Sequence, residues 1–301
     1  MPLLRAEAEK LSTDLLEKGV IDEVIEKDEL FALLPFMNVQ GKSYTYIRED
    51  DIAEGSFLSV NENVPESTST FTEHTTNLRI LAGDVDIDKF LIATMGESND
   101  QVAIQLAQKA KGLGRQFRRT MFTGDATANP KEFDGLPKLV SSDQVLSAGV
   151  NGAALSLAAL DELKDSIPNG PDCYLMRKGT YRAYKALVRL SGGTTPDHIQ
   201  LQNLTGVRTP VHDGVPILIS DFIPGDVDQG SNSDTCSVWA GRFNEVDGLH
   251  GIVGGGQGGF QMEDIGTVQN RDALRWRLKW YVSLVLKSTR SLSQLKGITN
   301  V

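Results

Sequence analysis

One stretch, residues 98–122 (SNDQVAIQLAQKAKGLGRQFRRTMF), limits what this chain can fold into more than any other. Val102, Leu106, Ala110, Leu113, Phe117 and Met121 recur at threes and fours, which draws a single apolar stripe along a 3.6-residue spiral and does not suit a strand. Ser98 with Gln101 offers a reciprocal cap at the start. Gly124, just past the last apolar position, can take the left-handed conformation that ends helices. At the usual rise such a helix is about 37 Å long, longer than a small domain is wide, so it has to act as a spine.

The segment that follows, residues 123–140 (TGDATANPKEFDGLPKLV), is dense in turn pairs: Gly124-Asp125, Asn129-Pro130 and Asp134-Gly135, closed by Leu136-Pro137. A long helix, then Gly-Asp, a Pro-containing turn and Gly-Leu resembles the pattern after the spine helix in tailed-bacteriophage major capsid proteins of the HK97 fold, and in encapsulins.

Composition narrows the class. With 301 residues, 40% hydrophobic and 23% charged, the chain has enough material for two domains and the balance of an ordinary soluble protein. No apolar run approaches the roughly 18 residues of a membrane span. The start, Met1 to Arg5 and then Glu7 and Glu9, shows no basic-then-apolar secretory pattern, so the chain is expected to stay in the cytoplasm. Cys173 and Cys236 are too few for a disulfide framework and lie outside any metal-ligand spacing; they read as buried free thiols.

The net charge of −10 is unevenly spread. Residues 1–100 hold 8 Lys/Arg against 21 Asp/Glu, whereas the remainder has a small basic excess. That excess concentrates in Lys109, Lys111, Arg115, Arg118 and Arg119 of the long helix and in Arg271, Arg275, Arg277, Lys279, Lys287, Arg290 and Lys296 near the end. A basic patch often meets nucleic acid, but with an acidic partner present in the same sequence, contacts between copies are an equal contender.

In chain order, Leu4, Ala8, Leu11 and Leu15, then Val20, Val24, Phe31 and Leu34 before Pro35, read as two short helices in an acidic arm. The arm is either an ordinary helical hairpin on the core or a piece that docks on neighbouring subunits. Residues 41–88 turn to Thr, Ser, Tyr and Val and read as a long hairpin folding back on itself. Few of its side chains can reach a core, and a lone two-stranded ribbon is marginal in water. Asp84-Val85-Asp86-Ile87-Asp88 lacks the glycine and closing glutamate of a calcium loop and reads as a strand with acids on its wet face. Between residues 150 and 260, a helix with Ser156 as its cap, a strand at Cys173 to Met176, a helix from Lys178 to Leu190, and strands around 215–219, 235–240 and 249–253 describe an α/β domain. DVDQGSNSD at 226–234 reads as a surface loop. Gly254, Gly256 and Gly259 match a GxGxxG spacing, but no helix follows, so they read as a crossing between domains. Leu274, Trp276, Leu278, Trp280, Val282, Leu284 and Leu286 hold strict alternation opposite Arg275, Arg277 and Lys279. That is the clearest strand in the sequence, and it is expected to pack on the long helix.

Chemistry is not legible. GxSxG, HExxH and Walker patterns are absent, and His74, His198, His212 and His250 are scattered, so no catalytic, cofactor or metal site is assigned, although a triad assembled by the fold stays open. The resemblance, by contrast, covers nearly the whole chain. It implies an α+β, HK97-like capsid fold: an N-terminal arm (1–40), an extended loop (41–88), a peripheral domain with the spine helix (89–150 and 261–301), and an inserted axial α/β domain (151–260). It also implies a non-enzymatic major capsid protein whose copies, as hexamers and pentamers, enclose double-stranded DNA in a virion assembled in the host cytoplasm. Portal and scaffolding proteins would be partners, a decoration protein is left open, and no membrane is involved. Candidate interface residues are Asp50, Asp51, Glu54, Phe57 and Glu62 on the loop, set against Lys109, Lys111, Arg115, Arg118 and Arg119 on the spine that neighbouring loops cross in that family. Some members also stitch neighbours covalently, joining a loop lysine to an asparagine; here no lysine lies between Lys42 and Lys89. An encapsulin-type compartment and an α/β enzyme are the alternatives.

Overall fold

A computed structural model describes residues 29–51, 53, 55–89, 98–190, 200–203, 208–255 and 260–300. Residues 1–28 of the expected arm therefore lie outside the described residues, as do 256–259 of the glycine run. Elements are numbered among the described residues. They begin with α1 (Glu29–Leu33), β1 (Phe36–Val39), β2 (Ser43–Asp51), β3 (Thr70–Asn77), β4 (Arg79–Asp88) and α2 (Ser98–Thr123).

The long helix is present as expected. α2 runs 26 residues, about 39 Å, and Leu106, Ala110, Leu113, Phe117 and Met121 are all buried along one stripe. Its end differs from expectation. Gly124 stays out of the left-handed region and donates its N–H to the Thr120 carbonyl at 2.7 Å. Glycine is needed there for approach, since a Cβ would strike the carbonyl oxygens of Thr120 and Phe133. The turn-rich segment closes on itself: the Gly135 N–H meets the Gly124 carbonyl at 3.0 Å. Asp134 accepts from the Ala126 N–H at 2.9 Å, and Asp125 accepts from Thr127 at 2.9 Å while pairing with Lys138 at 2.9 Å. The short helix α3 (Leu136–Leu139) leaves this ring with Leu136 fully buried.

The chain continues through β5 (Val145–Ser147), α4 (Leu157–Asp165), β6 (Cys173–Met176), α5 (Lys178–Leu190), β7 (Gln200–Asn203), β8 (Arg208–His212), β9 (Val215–Ile219), β10 (Val227–Gln229), β11 (Asn232–Gly241), β12 (Leu249–Gly254), β13 (Phe260–Thr267), β14 (Ala273–Leu286) and β15 (Leu292–Ile298). Ser156 caps α4, its hydroxyl accepting from the Ala159 N–H at 3.1 Å. β14 is the axis of the first sheet. β4 lines one edge in antiparallel register (Leu278 opposite Gly83), β13 and then β12 line the other, and β1 runs parallel to β12. α2 lies on this sheet, where Phe117 meets Trp280 with ring centroids 5.0 Å apart and Phe31 at 5.4 Å. The second sheet has the order β5-β15-β11-β6-β9-β8-β7, with β10 on the edge of β11. α4 and α5 add Leu160, Leu163, Tyr184 and Val188 to its core, and Cys173 and Cys236 are buried free thiols as anticipated.

Pairing redraws the expected boundaries at several places. β4 joins the first sheet, so the hairpin proper is β2 and β3 alone. β12 belongs to the first sheet and β15 to the second, although the sequence order put residues 249–253 with the α/β unit and the C-terminus with the spine. A buried strand carries no label for its sheet; only the partner across the ladder decides it. For the same reason the glycine run joins two strands of one sheet rather than two domains. Residues 226–234 are not a plain loop but a tight hairpin between β10 and β11, turning at Gly230 with φ of 62°. The end of the expected arm is core: Leu30, Phe31 and Leu34 are buried.

Candidate functional site

Alternation divides the hairpin into two faces. Tyr44, Tyr46 and Arg48, opposite Thr76, His74 and Thr72, turn toward the body, whereas Thr45, Ile47 and Glu49, opposite Thr75, Glu73 and Phe71, turn to solvent. The inner face is latched at the end of β14. Tyr46 Oη donates to the Leu286 carbonyl at 2.8 Å. Arg48 donates from Nε to the Lys287 carbonyl at 2.8 Å and from Nη2 to that of Leu286 at 2.9 Å. Rings continue the attachment: Tyr46 stacks between Tyr44 and His74, and Tyr44 meets buried His250 edge-on at 6.2 Å. Sequence reading missed this latch. Its signal was Tyr44, Tyr46 and Arg48 sharing one face of a strand.

Beyond the latch the hairpin has little to rest on. Phe57 is fully exposed, Val60 and Val64 are 93% and 75% exposed, and Ile47 and Phe71 lie open on the outer face. Large apolar groups gathered on a projecting ribbon mark a contact surface rather than ordinary surface scatter. A cleft of about 1210 Å³ opens between the hairpin base at Ile47 and Glu49 and the body at Gln144, Val246 and Arg290. Of the acidic candidates, Glu62 accepts the Ser59 N–H at 2.8 Å and so shapes its own turn. Glu54 and the side chains of Asp50 and Asp51 lie outside the described residues.

The five helix cations do not act as one patch. Lys109 lies across Gly83 of β4, near the Asp84 carboxyl that the Arg277 hydrogen bond chiefly holds below its usual value. Arg118, half-buried, stacks its guanidinium 4.7 Å from the Phe222 ring beyond β9. Both therefore make contacts within the chain. Lys111, Arg115 and Arg119 are exposed, at successive steps of four along the outer side of α2.

The strand cations are matched internally. Arg275 forks onto Asp86 at 2.6 and 2.7 Å and Arg277 onto Asp84 at 2.6 and 2.8 Å, each pair directly across the β4–β14 ladder, while Lys279 pairs with Glu263 of β13. Those hydrogen bonds hold the carboxyls of Asp84, Asp86 and Glu263 below their usual values. Asp84 and Asp86 therefore serve as register partners for β14.

Histidine geometry yields no metal cluster among the described residues. His212 is buried with Nδ1 3.0 Å from the Tyr184 hydroxyl, whose pKa burial pushes up to about 12; its Nε2 lies 3.4 Å from Asp161. His250 is buried and held below its usual value by desolvation, His74 stacks on the hairpin, and His198 lies outside the described residues.

This arrangement, a long helix on a sheet around one extended strand, a second α/β layer within it and a projecting hairpin, is the HK97-like capsid fold. The chain is similar to the encapsulin SrpI of Synechococcus elongatus PCC 7942 in its holo complex, with a TM-score of 0.69 at 19% identity over 89% of this chain and 86% of that one. It is also similar to the capsid of a native GTA particle, with a TM-score of 0.65 at 14% identity over 90% of both chains, and to a chain of Mycobacterium phage Bobi, with a TM-score of 0.62 at 12% identity over 89% of both. No protein-family model and no curated protein matches the sequence.

Proposed function

We propose that this chain is a shell-forming protein, the major capsid protein of a tailed-phage-type particle, whose copies close into an icosahedral shell around double-stranded DNA. The observation that carries the reading is the hairpin: it extends Phe57, Val60 and Val64 into solvent on a fold that aligns over nine-tenths of its length with chains that build capsids. Exposed apolar side chains on a narrow ribbon gain their burial against another copy. In this reading the first sheet with α2 is the peripheral layer, the second sheet the axial layer, and the hairpin the strap to a neighbour. Hexamers and pentamers, a portal and a scaffold belong to the same proposal. So do the virion as its location and the absence of catalysis.

A second reading is favoured by one observation, the higher TM-score of the encapsulin: a compartment of the same architecture that holds protein cargo. Negative-stain microscopy of the expressed full-length chain tests both. Closed shells containing nuclease-protected DNA are expected, shells holding a co-purifying protein in place of DNA would move the assignment to the compartment, and a discrete small oligomer would overturn both.

A further inference from the structure

We infer that the outer ridge of α2 formed by Arg115 and Arg119 is a contact surface for the phosphate backbone of nucleic acid rather than for a neighbour's acidic hairpin. The nucleic acid rests on the shell reading above; the ridge rests on its own geometry. No Asp or Glu occurs between residues 101 and 123, so the outer side of the rod, with Gln105 and Gln108, carries cations and neutral groups only. Among the described residues Arg115 and Arg119 have neither an ion pair nor a hydrogen-bonded acid, whereas the cations of β14 are matched one for one by Asp84, Asp86 and Glu263. In a chain of net charge −10, these two arginines on one side of its longest helix stand out.

Spacing fits the ligand. A step of four residues sets the two arginines about 6 Å apart along the axis, close to two phosphate steps of a DNA strand, about 6.8 Å. The comparable helix α5 is less suited. Its Lys178 is paired with Asp221 and its Lys185 lies over the Tyr181 ring, leaving the exposed Arg182 and Arg189 about 10 Å apart.

The test compares Arg115→Ala/Arg119→Ala with the matched pair Arg182→Ala/Arg189→Ala in the full-length chain. Binding of a short mixed-sequence DNA duplex is followed by anisotropy across a salt series, on chain dilute enough not to assemble, and shells are counted by microscopy at higher concentration. The α2 pair is expected to weaken binding and to lower the slope of log affinity against log salt by about 2, one per phosphate contact, with shells still forming. Unchanged affinity and slope would overturn the inference. An equal loss from the α5 pair would overturn it too, since bulk charge would then suffice. So would a failure of Arg115→Glu/Arg119→Glu to assemble that Asp50→Lys/Asp51→Lys restores, which would give the ridge to a neighbour's hairpin. If the unsubstituted chain forms no shells, the shell reading fails, while the DNA arm still decides the ridge.

Discussion

Gly135 shows how much a single residue can fix. A Cβ there would sit 2.6 Å from the Met121 carbonyl oxygen, 2.7 Å from that of Thr120 and 2.9 Å from the Gly124 nitrogen, all backbone atoms that cannot step aside. Gly135→Ala is therefore expected to cost about 1–3 kcal/mol, the usual penalty of overpacking, read as a lower denaturation midpoint of the unassembled chain. The turn-rich spelling of residues 123–140 was legible in the sequence, but not that its two glycines touch. Nor did spelling reveal which acids the arginines of β14 would meet. With Arg277 on Asp84, Arg275 on Asp86 and Lys279 on Glu263, the folded-state carboxyl pKa values lie below those of the unfolded chain, about 3.9 for Asp and 4.3 for Glu. The stability they contribute is full above the unfolded values and lost as pH falls through the folded ones. Asp84→Asn/Asp86→Asn is expected to flatten the decline of the thermal midpoint between about pH 5 and pH 2. An unchanged acid limb would mean that the ladder adds nothing.

At the scale of elements, the helical repeat of α2 and the alternation of β14 could be read directly because burial on one face imposes a period on the residues themselves. The hairpin was legible as a ribbon, but its attachment was not, since hydrogen bonds from Tyr46 and Arg48 to main-chain carbonyls 238 to 240 positions away leave no pattern in the acceptor's sequence. Arg48→Ala removes charged hydrogen bonds worth about 1.5–3 kcal/mol. It is expected to speed proteolysis and hydrogen exchange within residues 43–77 about tenfold or more, with α2 unaffected. The arm needs dividing. Of the two readings of the arm, docking does not extend to Phe31, which lies in the ring cluster with Phe36, Phe117 and Trp280. Phe31→Ala should therefore cost about 3–5 kcal/mol in global stability, measured by denaturant titration. Removal of residues 1–28 is expected to leave the chain folded and to lower the yield of shells.

For the whole molecule, the absence of any lysine between Lys42 and Lys89 denies the hairpin tip the amine that an isopeptide link requires. Shells boiled in detergent are expected to run as single chains of 32.8 kDa, and a ladder of multimers would contradict this. The spine, the central strand, the helices of the second layer, the buried thiols and the ribbon are all written locally, because each is a local period or a local composition. Tertiary structure alone decided that β12 joins the first sheet and β15 the second, that β4 leaves the hairpin to pair with β14, and which cations remain outward. Those outcomes depend on partners far apart along the chain. Any buried strand can complete any ladder whose edge is open, and a charge is spent or free only according to what the fold sets beside it.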